Sequence, residues 1–201
     1  DLSYWQEGPL PEWDIELTDE QASQIEGKVT EVKSIIDDAD NYDPEEVFFA
    51  YLKLGIYMES LNKPVASRDA YLEATRWGEE SSIPWLNLSG FYGQAGDLER
   101  AEAALNKALE MDPNSELVWD KVLDFYQYQF HSALPAMLEI YNQAFEYVGE
   151  SIFLRKRYAR YLESENAIGP ALEQWEKVVE LDPADQSAVK EVERLKSITD
   201  F

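Results

Sequence analysis

The chain has 201 residues, 45% of them hydrophobic, enough for one domain or one short helical array and too many for a chain disordered throughout. A formal charge of -24 sets it against nucleic-acid phosphates and anionic membrane surfaces, and self-repulsion of that size favours solubility. With no cysteine there are no disulfides, no thiol catalysis and no Cys-based zinc site.

Residues 1–17 show no apolar period and carry Trp5, Pro9, Pro11 and Trp13, which predicts an extended acidic and aromatic arm. Residues 18–47 form an N-terminal acidic helix and linker. Thr18 and Gln21 make a capping-box signature, followed by Ala22, Ile25, Val29, Val32, Ile36 and Ala39 at three–four spacing. Up to residue 47 there are 15 carboxylates against only Lys28 and Lys33, so the N-terminal quarter holds more than half of the net charge. Asp43-Pro44-Glu45-Glu46 reads as a second helix start, with Asp as cap and Pro at the first position.

From Phe48 onward a 34-residue period emerges, clearest at 82–115. There Trp85, Leu88, Tyr92, Gly96, Ala101, Leu105, Ala108 and Pro113 fall at fixed offsets. The unit at 48–81 places Tyr51, Leu54, Gly55, Met58, Ser67, Tyr71 and Ala74 in the same roles. The unit at 116–151 has Trp119, Val122, Tyr126, Met137, Tyr141 and Ala144, with two extra residues near His131. The unit at 152–185 has Tyr158, Ala159, Leu162, Ala171, Trp175, Val178 and Pro183. Bulky residues three, four and seven apart lie on one helix face, and small residues opposite them let two helices approach closely. Breaker clusters at Asn62-Lys63-Pro64, Ala95-Gly96-Asp97, Asp112-Pro113-Asn114 and Asp182-Pro183 mark the joints. Residues 186–201 read as a final capping helix with Ala188, Val189, Val192, Leu195 and Ile198 inward.

This pattern resembles the tetratricopeptide repeat. The resemblance implies an all-α fold: a right-handed superhelical solenoid of about four helical hairpins, between an N-terminal helix and a C-terminal capping helix. It also implies a concave groove lined by the first helices of successive hairpins. Carried over residue by residue, the groove takes Phe49, Leu52, Lys53, Ile56 and Glu59 from the first unit. The second supplies Ile83, Leu86, Asn87, Gly90, Gly93 and Gln94, and the third Leu117, Asp120, Lys121, Asp124, Gln127 and Tyr128. The fourth supplies Phe153, Lys156, Arg157, Arg160, Glu163 and Ser164. The carboxylate clamp of chaperone-binding relatives is incomplete, because Leu52 and Ile56 stand where it needs Lys and Asn; only Asn87 and Lys121 match.

Gly90 and Gly93 leave part of the groove wall without side chains, each at about 1 kcal/mol of helix stability. Arg155, Lys156, Arg157 and Arg160 form the only basic cluster. With Lys121 they can hold an acidic peptide, or pair with neighbours such as Glu163 and Glu165. The arm, being extended, aromatic and negative, has the character of a groove ligand and is expected to lie along a groove against the basic fourth unit.

Catalytic chemistry has no visible basis. His131 is a lone turn histidine, and no phosphate loop, zinc-protease motif or nucleophile elbow occurs. The acidic run Asp37 to Glu46 lacks the alternation, central glycine and terminal Glu of a calcium loop. The expectation is a non-enzymatic scaffold with no cofactor or metal, a monomer or weak homodimer. Its partner is expected to be another protein or peptide, acidic ones among the candidates, with neither nucleic acid nor membrane insertion. A second reading is an assembly subunit of an envelope or secretion complex using its convex or end surfaces. The longest apolar run, Val47 to Leu52, is short of the roughly 20 residues that span a bilayer. The chain opens at Asp1, so the compartment is expected to be cytoplasmic, or periplasmic or membrane-anchored with a targeting segment removed.

Overall fold

Side-chain caps and turn residues set where each helix begins and ends. The computed structural model describes residues 2–199; Asp1, Asp200 and Phe201, which the expected arm and capping helix include, lie outside the described residues. All regular structure among the described residues is helical, running from α1 (Ser3–Gln6) and α2 (Asp19–Asp37) to α3 (Pro44–Ser60) and α4 (Pro64–Trp77). Then come α5 (Ile83–Gln94), α6 (Leu98–Met111), α7 (Glu116–Asp124), α8 (Leu134–Val148), α9 (Ile152–Ser164), α10 (Ile168–Leu181) and α11 (Gln186–Thr199). Both capping boxes form: Thr18 with Gln21, and Asp43 with Glu46 ahead of Pro44. Asp97 caps α6, Ser115 caps α7 and Ser151 caps α9 through their side-chain oxygens.

The chain divides into two compact units, one up to Asp112 and one from Pro113. In the first, α2 packs on α3, α3 on α4, α4 on α5 and α5 on α6. The residues singled out by the period make this core. Tyr71, Leu88, Tyr92, Ala101, Leu105 and Ala108 are all no more than 2% exposed. Burial of each large apolar side chain contributes about 1.5–3 kcal/mol, and the alanines let the helix backbones close up.

The second unit pairs α9 with α10 and α10 with α11, around Leu162, Trp175, Val178 and Leu195. Here the two extra residues of the third hairpin have a definite form. Helix α7 stops after nine residues and continues as a π-helical turn at Phe125–Gln129, then leaves through His131 at φ 53°. Widening the helix by one residue per turn absorbs an insertion without losing backbone hydrogen bonds. His131 itself is exposed.

The arm departs from expectation. It starts as the single helical turn α1, and its partners lie in the first unit, on α4, α5 and α6, instead of beside the basic residues of α9. Trp5 is only 7% exposed, its ring 5.1 Å from that of Trp85. Burial of the indole against Trp85 and Tyr92 anchors the arm there.

Candidate functional site

Helix α9 carries two faces with different tasks. Leu154, Ala159 and Leu162 point into the core, whereas Phe153, Lys156, Arg157, Arg160 and Ser164 follow the opposite stripe. That stripe lies against α7 and the π-helical turn and lines a cleft of about 420 Å³, completed by Asp120, Gln127, Tyr128 and Tyr161. The π turn matters because it delivers Gln127 and Tyr128 to this cleft.

The cleft is amphipathic. Tyr128 is 62% exposed and Phe153 46%, so both offer apolar surface to a partner. Its cations are mostly committed. The Arg157 guanidinium forks across α7, donating from Nη2 to Asp124 at 2.6 Å and from Nη1 to Asp120. Lys121 lies 3.5 Å from each of the same two carboxylates. Lys156 pairs with Asp185, whose carboxylate also caps α11 by accepting from the backbone N–H groups of Ser187 at 3.0 Å and Ala188 at 3.1 Å. Hydrogen bonds from Lys156 and Ser187 hold the Asp185 carboxyl far below the usual carboxylate range.

Arg160 differs from these. Among the described residues it has no carboxylate within ion-pairing distance, and its guanidinium lies 5.7 Å from the ring centre of Trp175. Arg155, the fourth member of the basic cluster, points away from the cleft. It is buried against Phe145 and bonds Glu150 at 2.9 Å and Gln174 at 2.6 Å.

The structure therefore brings Lys121, Asp124, Tyr128, Phe153, Lys156, Arg157 and Arg160 together around one cleft or its rim. The acids that pair with the cluster are Asp120, Asp124 and Asp185 at the cleft and Glu150 at Arg155; Glu163 instead bonds Trp175 and Arg194. Sequence reasoning missed Tyr161, which faces the cleft as an aromatic of the helix interior, and Asp185, whose signal was its cap position before α11.

In the first unit the candidates divide. Phe49, Lys53, Ile56 and Gln94 are exposed, and Asn87 and Gly90 are half-buried, with open space where a Gly90 side chain would be. Leu52 is a correction: at 6% exposure it belongs to the core. Its offset matches a groove position, but α3 is flanked by both α2 and α4, which extends the packed face. Gln94 is also engaged, accepting a hydrogen bond from the Trp13 indole.

Among the described residues no three His, Asp or Glu side chains are grouped as a metal ion would require, and no helix is long and apolar enough to cross a membrane. No curated protein matches the chain in sequence. A family model, tetratricopeptide repeat, matches residues 84–115. The crystal structure of a thermophilic tetratricopeptide-repeat protein from Thermus thermophilus matches with a TM-score of 0.54. It is 16% identical, and the match covers 86% of this chain and 91% of that one. Residues 84–115 are similar to the tetratricopeptide repeat, and the chain has an all-helical repeat fold similar to that of a tetratricopeptide-repeat protein.

Proposed function

We propose that this chain is a protein–protein interaction scaffold that binds an extended peptide or partner helix on the exposed faces of the first helices of its hairpins. In the second unit the working surface is the α7–α9 cleft. Tyr128 and Phe153 supply apolar contact, and Arg160 supplies charge to a carboxylate or a backbone carbonyl. Arg157, Lys156, Lys121 and Asp124 hold the cleft's shape through their ion pairs. In the first unit Phe49, Lys53, Ile56, Asn87, Gly90 and Gln94 present the corresponding surface.

One observation carries this reading. Phe49, Ile83, Leu117 and Phe153 recur at the second position of the four units, and they are 41, 41, 53 and 46% exposed although all are large and apolar. Isolated exposed apolar residues need no explanation, but a repeat that leaves the same position apolar and uncovered in every unit is what a binding face requires. Because three cleft cations already have carboxylate partners, the favoured ligand is apolar first and acidic second.

Selection of peptides from a random library on the immobilised chain tests the proposal. The expected ligands are rich in aromatic and aliphatic residues, and their binding falls by roughly tenfold or more on Phe153→Asp, as for loss of a central apolar anchor. Ligands that bind Phe153→Asp and the unmodified chain equally would move the site to another surface and favour assembly through the convex or end faces.

A further inference from the structure

The α4–α6 face of the first unit carries a second constellation. Three successive carbonyls at the end of α1 each accept a hydrogen bond from a different helix. Arg100 Nε of α6 donates to Tyr4 at 2.9 Å, the Tyr92 hydroxyl of α5 donates to Trp5, and Arg68 Nη1 of α4 donates to Gln6 at 2.6 Å. A four-residue helix cannot satisfy its own terminal carbonyls, so these bonds replace the water that a free segment would use. Between them the Trp5 ring sits 5.1 Å from Trp85 and 5.9 Å from Tyr92. The Arg100 guanidinium stacks 4.4 Å from the Tyr4 ring centre.

Gly8 completes the fit. A side-chain carbon at Gly8 would lie 2.7 Å from Tyr92 Cε1 and 2.8 Å from Arg100 Cδ, so the segment seats fully only with glycine three residues after the aromatic. This is how a peptide is recognised: carbonyl capture gives register, a ring in an aromatic slot gives affinity, and a glycine gives selectivity. Beyond Gly8 the arm continues over the first unit, where the Trp13 indole donates to Gln94 and packs edge-on against Phe91, and Asn62 donates to the Ile15 carbonyl at 2.9 Å. Leu10 is 38% and Ile15 40% exposed, and Pro9 is exposed while Pro11 is buried.

We propose that α4, α5 and α6 form a peptide-recognition site for an aromatic turn of the form Trp-x-x-Gly, and that residues 2–8 are its reversible intramolecular ligand. A partner that presents such a turn enters by displacing the arm. The site uses Arg68, Trp85, Tyr92 and Arg100, none of which lines the α7–α9 cleft, so it stands or falls independently of the function proposed for that cleft.

The test uses the full chain carrying Trp5→Ala as receptor and a fluorescent peptide of residues 2–14 as probe, read by anisotropy. Saturable one-to-one binding to the Trp5→Ala chain is expected, weakened by roughly tenfold or more on the unmodified chain, whose own arm competes at high effective concentration. A Gly8→Ala peptide is expected to bind the Trp5→Ala chain roughly tenfold more weakly, because its methyl group overpacks the site. Equal binding to both chains, or none to a folded Trp5→Ala chain, would overturn the proposal. Loss of the helical circular dichroism signal in Trp5→Ala would overturn it too, since the arm would then be an inseparable part of the core. Hydrogen exchange on the unmodified chain gives a second reading: amides of residues 2–8 are expected to exchange faster than those of α5, and equal protection would contradict reversible docking.

Discussion

Gly55 on α3 faces the ring of Tyr71 on α4 so closely that a methyl group there would lie 2.5 Å from the ring's Cδ1 and 2.8 Å from its Cζ. Tyr71 is only 2% exposed and cannot swing aside. Gly55→Ala is therefore expected to destabilise the chain by about 1–3 kcal/mol through overpacking. Urea denaturation followed by circular dichroism measures this, and an unchanged midpoint would show that α3 and α4 do not pack as described.

Gly90 is the opposite case, since nothing lies within 4 Å of the position its side chain would take. Gly90→Ala is expected to stabilise the chain by about 0.5–1 kcal/mol, the helix propensity difference alone. If a partner's backbone uses the bare surface, the same substitution weakens binding while raising the melting temperature. That opposite movement of the two readouts separates function from stability.

Arg157 is expected to be structural first. Arg157→Met removes its bonds to Asp120 and Asp124 and leaves two facing carboxylates with only Lys121 beside them. The expected loss is about 1–3 kcal/mol, as for hydrogen bonds to charged groups. Adding Asp124→Asn to Arg157→Met should restore part of that stability by removing the repulsion. A double variant less stable than Arg157→Met alone would contradict the pairing.

Acid should weaken the second unit. Asp185 is held below its ordinary pKa by hydrogen bonds from Lys156 and Ser187, and Glu150 by its hydrogen bond from Arg155. A carboxyl whose folded pKa is depressed stabilises the fold above its unfolded value, about 4, and that contribution fades as the pH falls through the folded pKa. Thermal melts from pH 6 downward should show the loss setting in below about pH 4. In Asp185→Asn the melting temperature should start lower and depend less on pH. Identical profiles for the two chains would remove Asp185 from the account.

The helices were legible because their signals are local. Thr18 with Gln21, and Asp43 with Glu46, announce a helix start within four residues, and Tyr71, Tyr92 and Trp175 stand at offsets that one helix face imposes. The site was less legible because its determinants are distant. The cluster at Arg155 to Arg160 is visible as composition, but Arg157's partners lie over 30 residues upstream and Lys156's partner 29 residues downstream. Leu52 was misplaced because an offset says which face a residue occupies, not whether a helix such as α2 already covers that face. The docking of Trp5 left no periodic trace, since a single ring in a slot repeats nothing.

The central claim, that the chain binds peptides through the α7–α9 cleft, is tested most directly by backbone amide NMR of the full chain titrated with a peptide selected on it. Shifts are expected to concentrate in α7, the turn at Phe125–Gln129 and α9, and to vanish in Phe153→Asp. Shifts confined to α8, α10 and α11, or unaffected by Phe153→Asp, would contradict the claim.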